Sequence, residues 1–416
     1  MFPGLLGKKI LYLNDRHEEK DTEGEDRNKL YDKRILPLLD KEDLAIFGEK
    51  INSFLWDYYK SLGLANIDKK NIFYSRDYLQ YPSLTKAVIN NHLVIEAIKK
   101  RKANMLISYI NSRDTQVLSQ KINCYTLSGY EGVENINNKA RYREIIQKLD
   151  FPLISGFRAS NLKEAKMCFI RLKKQGFSEI AMKKERSVGG FGIFIVKTIS
   201  GLEKRFKQYF AEQKNFLLEG FIKEIEFFPN VQYWINSKEI RFITASDQLF
   251  EKNRVTHKGN VFPSQLDRMP ELREKIQRLS LRLCRHLQNQ NCYGLIGIDY
   301  LITKGNNIYS TEANFRLNHS TFPALIIEKL FGLSPRLCWK TFTLKGFPVS
   351  FENLFSRSQD LFIAKKGEFG IFPIDIGILK TKSEGQFMAV AHEPKQADHY
   401  KRSLEQSYEN IFSRKM

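Results

Sequence analysis

The fold is decided by three consecutive segments: GLIGIDYLIT (residues 294–303), KGNN (304–307) and IYSTEAN (308–314). Two apolar runs flank a turn that contains glycine and asparagine, which is the pattern of a β-hairpin. A two-residue loop at Gly305-Asn306 would place Asp299 directly opposite Glu312. We therefore expect two carboxylates to face each other on neighbouring strands.

Side chains alternate between the faces of a strand, so the hairpin should have one polar and one apolar face. Carboxylates paired at Cβ distances of about 5 Å destabilise a sheet unless a cation lies between them. Oxygen ligands without His or Cys favour magnesium, which leaves coordination positions for water and phosphate. The hairpin therefore indicates a magnesium site, and the alternative is an exposed face with two unrelated acids. The residues predicted on the polar face are Gly297, Asp299, Leu301, Ser310, Glu312 and Asn314.

A second segment, IAMKKERSVGGFGI (residues 180–193), combines a lysine with a glycine-rich loop. Lys183 lies at the end of a short apolar strand, and Gly189 and Gly190 lie in the loop before the next strand. The backbone N–H groups of such a loop and the lysine can both donate to phosphate oxygens. The segment is not a P-loop, because a strand rather than a helix follows it. The alternative is a plain hairpin.

A third segment, FLLEGFIKEIE (residues 216–226), places Glu219 and Glu226 in an apolar strand and the linker after it. Free backbone groups in a linker can pair with the edge of an adenine, and a carboxylate can hold ribose hydroxyls. Solvated acids on a strand are the alternative for this segment taken alone.

In their order along residues 138–320, these segments resemble the ATP-grasp superfamily of carboxylate–amine ligases. The resemblance implies that a carboxylate is activated by ATP as an acyl phosphate and joined to an amine, with release of ADP and phosphate. ATP and Mg²⁺ are the implied cofactors, and Mn²⁺ is expected to be able to replace Mg²⁺. The site residues that the resemblance implies are Lys139, Lys183, Gly189, Gly190, Glu219, Gly220, Ile222 and Glu226 for ATP, Asp299, Glu312 and Asn314 for the metal, and Lys183 and Arg316 for catalysis.

One position departs from the superfamily pattern. Many members carry an arginine two residues before the metal aspartate, where this chain has Gly297, so we expect Arg316 to stabilise charge on the substrate side. A closer resemblance, to the pheganomycin-type peptide ligases, rests on NNKARY (137–142) and on the tail segments GIFP (370–373) and GQFMAV (385–390).

The composition is that of a folded protein with a basic surface. Of 416 residues, 42% are hydrophobic and 27% are charged, which excludes disorder for most of the length. Lys and Arg number 67 against 47 Asp and Glu, and the net charge of +20 suits an anionic partner or a solvated basic surface. Hydropathy predicts neither a membrane span nor a signal peptide, and five scattered cysteines fit a reducing compartment. We expect a cytoplasmic protein without a zinc site.

The expected fold class is an α/β N-terminal domain, an α+β ATP-grasp fold of two lobes with antiparallel sheets, and a small α+β C-terminal extension. The predicted boundaries are 1–135 for the N-terminal domain, 136–218 for the small lobe with the glycine flap, 219–345 for the large lobe with the magnesium site, and 346–416 for the extension. Periodicity predicts helices over 44–62, 84–100, 138–149, 162–174, 202–212, 272–287 and 324–344. It predicts strands over 9–14, 105–109, 179–183, 192–197, 216–222, 224–235, 239–247, 294–303 and 307–314, and two or three strands with a helix after residue 361. Residues 17–33 read as a polar loop.

The substrate side is less constrained by the sequence. Arg254, His257 and Lys258 lie in the predicted loop 251–263 and are candidates to hold a carboxylate, and a solvated connection is the alternative. Arg113 and Asp114 either face the cleft or cap a helix.

The expected partners are small carboxylate and amine substrates, either amino acids or peptides. An acidic protein acceptor is a second hypothesis, which the positive charge would suit. A non-catalytic basic protein that binds nucleotides or nucleic acid is a third, and the complete set Asp299, Glu312 and Asn314 argues against it. The sequence contains no RRM-type aromatic and basic motif. A homodimer is compatible with the sequence.

Overall fold

The computed structural model describes residues 8–15, 32–75, 77–187, 190, 192–253, 255–333, 336–377, 379–381 and 383–413. The strands are β1 (Ile10–Leu13), β2 (Leu44–Phe47), β3 (Ile72–Tyr74), β4 (Met105–Ser108), β5 (Tyr125–Thr126), β6 (Gly156–Ala159), β7 (Ile180–Lys184), β8 (Ile193–Val196), β9 (Phe216–Gly220), β10 (Ile225–Phe227), β11 (Pro229–Ile235), β12 (Ile240–Phe250), β13 (His257–Phe262), β14 (Gly294–Thr303), β15 (Ile308–Asn314), β16 (Cys338–Lys345), β17 (Gly370–Asp375) and β18 (Glu384–Ala391). The α-helices are α1 (Ser53–Ser61), α2 (Leu84–Ile89), α3 (His92–Arg101), α4 (Arg113–Lys121), α5 (Tyr130–Asn137), α6 (Lys139–Lys148), α7 (Leu162–Lys174), α8 (Ile199–Tyr209), α9 (Pro270–Asn289), α10 (Thr321–Phe331), α11 (Phe351–Ser356) and α12 (Pro394–Ser413).

The N-terminal domain is built on a parallel sheet of order β3-β2-β1-β4-β5. The predicted strands at residues 9–14 and 105–109 are confirmed as β1 and β4. The predicted helix over 44–62 was wrong at its start, because residues 44–47 form the fully buried strand β2. A short apolar run buried on both faces of a parallel sheet has the same pattern as part of a buried helix.

Two further N-terminal predictions need correction. The predicted helix over 84–100 is two helices, since Asn91 lies between α2 and α3 and caps the second one by accepting from the Val94 N–H. The predicted loop 17–33 lies largely outside the described residues. Its last two residues begin a buried 3₁₀ turn, Asp32–Leu38, in which Arg34 donates to Asp375 of β17 at 3.0 Å. This buried ion pair joins the N-terminal domain to the C-terminal strands.

The small lobe is an antiparallel sheet of order β6-β9-β7-β8 with α7 and α8 packed against it. The predicted helix over 162–174 is confirmed as α7, which buries Ala165, Phe169 and Leu172 at helical spacing. Asn161 caps this helix by accepting from the Glu164 N–H. The sheet carries the glycine flap between β7 and β8.

The large lobe is a nine-stranded sheet of order β10-β14-β11-β12-β13-β16-β18-β17, with β15 paired to β14. The predicted strand over 224–235 is divided at Phe228 into β10 and β11. The predicted helix over 324–344 was wrong after Phe331, where Gly332 adopts φ +83° and ends α10, and residues 338–345 form β16. The predicted loop 251–263 was also wrong in part, since it contains β13, which pairs with β12 and β16.

The sheet of the large lobe continues into the C-terminal region, because β16 pairs with β18 along eight residues and α12 packs on both strands. The predicted C-terminal strands and helix are confirmed as β17, β18 and α12. The fold class is likewise confirmed: a parallel-sheet N-terminal domain precedes two lobes with antiparallel sheets. Among the described residues, no helix has both the length and the apolar character needed to cross a membrane.

Candidate active site

The β14–β15 hairpin has the predicted register at its functional end. Asp299 pairs with Glu312, and Gly297 pairs with Asn314. The register then shifts by one residue, because Thr311 is inserted as a bulge and Tyr300 pairs with Ser310. The prediction that Ser310 lies on the polar face was therefore wrong. Thr311 lines the cleft instead, and Ser310 lies in the core, where its hydroxyl is 2.5 Å from the Tyr142 hydroxyl.

Neutral amides surround the buried carboxyl group of Asp299. Its Oδ1 accepts from Asn230 at 2.5 Å and from Gln248 at 3.0 Å, and its Oδ2 accepts from Asn314 at 2.9 Å. Burial and the neighbouring Glu312 carboxylate raise the pKa of Asp299 to about 8. At neutral pH this carboxyl therefore holds a proton unless a cation takes its place.

The pKa of Glu312 is shifted in the opposite direction to that of Asp299. Burial disfavours its charge, but Lys139, whose Nζ lies 2.7 Å from Glu312 Oε2, more than offsets this and lowers the pKa of Glu312 to about 2. Lys139 is the first residue of α6, which Asn138 caps, and its Nζ also donates to the Ser187 carbonyl at 2.8 Å. Lys139 thus connects the predicted metal pair to the base of the flap.

The predicted metal residues form an oxygen-rich set. Asp299 and Glu312 come together on paired strands, and the described residues contain no group of three or more His, Cys, Asp or Glu that could hold a metal ion. The side-chain oxygen of Asn314, Oδ1, accepts from Arg316 at 2.8 Å. The side-chain amide of Asn314 would therefore have to turn before Oδ1 could bind a metal. The two carboxylates, one of them protonated by burial, fit a hard divalent cation.

Arg316 is held at the junction with the N-terminal domain. Its guanidinium donates to the Tyr109 hydroxyl at 2.9 Å, stacks over the Tyr109 ring at 5.4 Å and lines the cleft. Neither alternative for Arg113 and Asp114 was right: they do not line the cleft, and the cap of α4 is Ser112. Both lie in the first turn of α4, where Asp114 pairs with Lys86 at 2.8 Å. Tyr109 thus connects the N-terminal domain to Arg316.

The lysine of the flap strand is fixed from behind by a buried acid. Lys183 Nζ forms an ion pair with Glu219, which also accepts from Arg143 at 2.7 Å. Burial opposes the charge of Glu219, and the two cations still hold its pKa below the ordinary value. Gly189 lies outside the described residues. Gly190 lines the cleft with φ +87°, and a Cβ there would overlap the Val255 carbonyl, so the flap touches the 251–256 loop.

Apolar side chains line the end of the cleft next to β9. Gly220 and Ile222, predicted to bind adenine, line this end, whereas the Glu219 side chain is turned toward Lys183. Glu226, predicted to bind ribose, is exposed on β10 and does not line the cleft. The apolar lining residues at this end are Ile154, Ala181, Ile193, Phe221, Ile222, Ile225 and Leu301. This lining suits the faces of a purine ring.

Two of the three candidate substrate residues, His257 and Lys258, line the cleft. Arg254 lies outside the described residues, and Lys258 is exposed at the cleft. His257 lies in the cleft wall with its Nε2 3.1 Å from Asn260 Oδ1, and burial lowers its pKa to about 4, so it is neutral at neutral pH. His319 meets it edge to face at 5.4 Å.

The structure accounts for the glycine that replaces the usual arginine. A Cβ at Gly297 would lie 2.5 Å from the Asn318 amide nitrogen and 3.0 Å from that of Asn230. These amides fill the space that a larger side chain would need. Asn230 also supports Asp299, so the amides take over the site of the missing arginine without its charge.

Several residues of the site were missed in the sequence. Asn230, Gln248, Arg143 and Tyr109 each contact a predicted site residue, but they lie on strands and helices that only the tertiary fold brings there. For Asn230 and Gln248 the sequence signal is limited to a polar residue within a strand, and Arg143 and Tyr109 have no comparable signal.

The comparisons with known proteins agree with this geometry. The sequence profile described as the ATP-grasp domain matches residues 136–320. A curated relative, the [butirosin acyl-carrier protein]–L-glutamate ligase of Niallia circulans, is 23% identical over 344 residues, which cover 78% of this chain and 76% of the relative.

Solved structures share the fold over nearly the whole chain. An N5-carboxyaminoimidazole ribonucleotide synthetase in complex with ADP superposes with a TM-score of 0.62 at 13% identity, covering 97% of each chain. A biotin carboxylase from Campylobacter jejuni gives a TM-score of 0.61 at 15% identity, covering 94% of this chain and 89% of the other. Residues 136–320 therefore carry an ATP-grasp domain, in a chain that shares its fold over nearly its whole length with these solved structures.

Proposed function

We propose that this protein is an ATP- and magnesium-dependent ligase that activates a carboxylate as an acyl phosphate and joins it to an amine. The products are an amide, ADP and phosphate. The observation that carries the proposal is the convergence of Lys139, Lys183 and Arg316 on one cleft with the opposed pair Asp299 and Glu312.

Different parts of the cleft suit the adenine and the phosphates of ATP. The apolar end next to Gly220 and Ile222 suits adenine, and Lys139 and Lys183 lie on the side of the cleft that carries the flap. Both lysines are already fixed by acids, Lys139 by Glu312 and Lys183 by Glu219. Little reorganisation is then needed when phosphates bind, which is how preorganised charge stabilises a transition state.

The chemistry requires two anions to meet. An oxygen of the substrate carboxylate attacks the γ-phosphorus of ATP, and the bond to the ADP oxygen breaks. The amine then attacks the acyl carbon, phosphate leaves with the former carboxylate oxygen, and the amine loses a proton. Lys183 and Arg316 offset the negative charge, and the flap at Gly190 excludes water that would hydrolyse the acyl phosphate. Magnesium, when held by Asp299 and Glu312, would neutralise charge on the phosphate oxygens.

A protein-borne substrate is a second candidate. The name of the curated relative gives an acyl-carrier protein as the partner of its L-glutamate substrate. In the present chain, residues 156–220 of the small lobe contain 14 Lys and Arg against 6 Asp and Glu. Such a basic lobe suits an acidic protein that carries one of the two substrates.

Incubation with ATP, Mg²⁺ and pooled amino acids tests the proposal, with phosphate, ADP and new amide masses followed together. We expect phosphate and ADP in equal amounts with a condensed product, and none of these with Glu312→Ala. AMP and pyrophosphate as products would contradict an acyl-phosphate route. ATP binding without turnover would favour the protein-borne substrate, and the absence of ATP binding would overturn both candidates.

A further inference from the structure

The cleft continues well beyond the nucleotide and metal residues. Its volume is about 1240 Å³, and its lining runs from the small lobe past Asp299 to β16, β18 and α12. Pockets for drug-sized ligands usually measure about 300–1,000 Å³, so the space exceeds that of one such ligand. We call the part lined by β13, β16, β18 and α12 the distal arm.

A row of uncharged polar side chains forms the floor on one face of the large sheet. Asn230 lies opposite Asp299, Gln248 pairs with Asn260, and Thr343 pairs with Gln386. Asn260 connects to the next strand, because its N–H donates to Thr341 Oγ1 at 2.7 Å. Residues paired across an antiparallel ladder share a face, so the row runs continuously from the metal pair to β18.

The far part of this row has unused hydrogen-bonding groups. Within the described residues, the side chains of Thr343 and Gln386 have no hydrogen-bond partner, and both line the cleft. A hydroxyl and a carboxamide can each donate and accept, as the amide groups of a substrate also do. Ordered water binds such groups in an empty cleft, and a ligand with matching amides can displace it.

The length of the row sets the size of its ligand. Five strand spacings separate β14 from β18, which is about 24 Å at about 4.8 Å each. An extended chain advances about 3.4 Å per residue, so the row matches about seven residues. A free amino acid would occupy only the part next to the metal pair.

The end of the arm is charged. Lys345 lies 3.8 Å from Glu384, and Lys401 lies 3.4 Å from Glu405 on α12. Phe347 and Tyr408 stack beside them at 4.1 Å between ring centroids. Charges therefore lie at the end of the arm, while its floor is neutral.

We propose that the distal arm binds the remote part of a linear, amide-bearing substrate whose reactive end lies at Arg316. Either an oligopeptide or the pantetheine-type arm of a carrier protein has this chemistry. The inference rests on the proposed ligase function, and it adds the class of one substrate. It assigns Thr343 and Gln386 to substrate binding rather than to catalysis.

A length series tests the inference. Phosphate release would be measured with alanine, trialanine and hexaalanine, and in a second arm with glycyl-S-pantetheine as the amine and pooled amino acids as the source of the carboxylate. We expect KM to fall about tenfold or more from alanine to hexaalanine, or glycyl-S-pantetheine to give the lowest KM. The probe with the lower KM then shows whether the natural ligand of the arm is a peptide or a pantetheine-type chain. Equal KM values for alanine and all longer probes would overturn the inference.

Matched variants link the effect to the arm. Gln386→Leu and Thr343→Val keep side-chain size and should raise KM for the best long probe about three- to tenfold, with KM for alanine unchanged. Gln208→Leu, on the exposed side of α8, should change neither value. Unchanged long-probe KM values in both arm variants would contradict the assignment.

A binding measurement separates this inference from the ligase proposal. Hydrogen exchange of β16 and β18 would be followed with ADP, Mg²⁺ and either long probe. Protection in this experiment, together with no phosphate release when ATP replaces ADP, supports the arm and contradicts ligase activity on these probes. Neither protection nor a length effect overturns the arm, whatever the enzyme does with smaller substrates.

Discussion

Asn230 offers a sharp test of how the protein prepares its metal site. Its Nδ2 donates to Asp299 at 2.5 Å, and its Oδ1 accepts from Gln232 and Ser320, each at 2.9 Å. Asn230→Ala would remove the amide that orients the Asp299 carboxyl. Supporting residues of this kind typically change metal affinity 10- to 100-fold. We therefore expect Mg²⁺ and Mn²⁺ to bind about 10- to 100-fold more weakly, which is about 1.4–2.7 kcal/mol.

The same change has a cost in stability that can be estimated separately. A buried polar group left without a partner costs about 1–3 kcal/mol. Gln232 and Ser320 still bond to each other, so we expect the free energy of unfolding to fall by about 2 kcal/mol, near the middle of this range. Denaturant unfolding measures this fall in the free energy of unfolding. The variant should stay folded under assay conditions.

The assay follows free Mn²⁺ by electron paramagnetic resonance during titration of the folded variant. Asn236→Ala is the matched control, because Asn236 follows the same strand but caps a turn at Lys238 and Glu239, outside the cleft. The control should bind the metal as the wild type does. Wild-type affinity in folded Asn230→Ala would refute the role of this amide in preparing Asp299.

Three further predictions concern the same cleft. Glu312→Ala and Lys183→Ala should each abolish turnover with unchanged circular dichroism, and wild-type rates in both would contradict the site. Because the raised pKa of Asp299 means that a divalent cation must displace a proton, calorimetry should show that metal affinity rises about tenfold per pH unit from pH 6 to about 8 and then levels off. An affinity that does not change with pH would contradict the proton on Asp299. Gly190→Ala, whose Cβ would overlap the Val255 carbonyl at φ +87°, should disturb flap closure and lower kcat at least tenfold with metal binding retained, and full activity would argue against this contact.

The predicted pairing of Asp299 with Glu312 is confirmed, but the register between them and the turn differs by one residue from the prediction. The predicted two-residue turn at Gly305-Asn306 was wrong, because the Thr303 N–H donates to the Asn307 carbonyl at 3.1 Å and residues 304–306 form a three-residue loop. The Thr311 bulge, which the apolar pattern does not reveal, adds the residue that brings Asp299 opposite Glu312. The helix α7 was predicted with its bounds, because its apolar period and its Asn161 cap agree.

The errors have a common physical origin. Residues 44–47 are a short apolar run, and periodicity alone does not distinguish a buried strand from part of a helix. Residues 338–345 mix apolar side chains with Lys and Thr, and they were wrongly joined to the apolar helix that precedes them. Asn230 and Gln248 were missed because their contacts to Asp299 depend on strand order, which local sequence does not encode. The charged network of Lys183, Glu219 and Arg143 likewise joins three separate elements.

The fate of a carboxylate oxygen tests the central claim most directly. The protein would be supplied with ATP, Mg²⁺ and substrates labelled with ¹⁸O in their carboxylates, and the released phosphate would be analysed by mass spectrometry. Attack of the carboxylate on the γ-phosphorus predicts phosphate that carries one ¹⁸O, formed together with ADP and amide. Amide formation with unlabelled phosphate, or with ¹⁸O in AMP, would contradict the account.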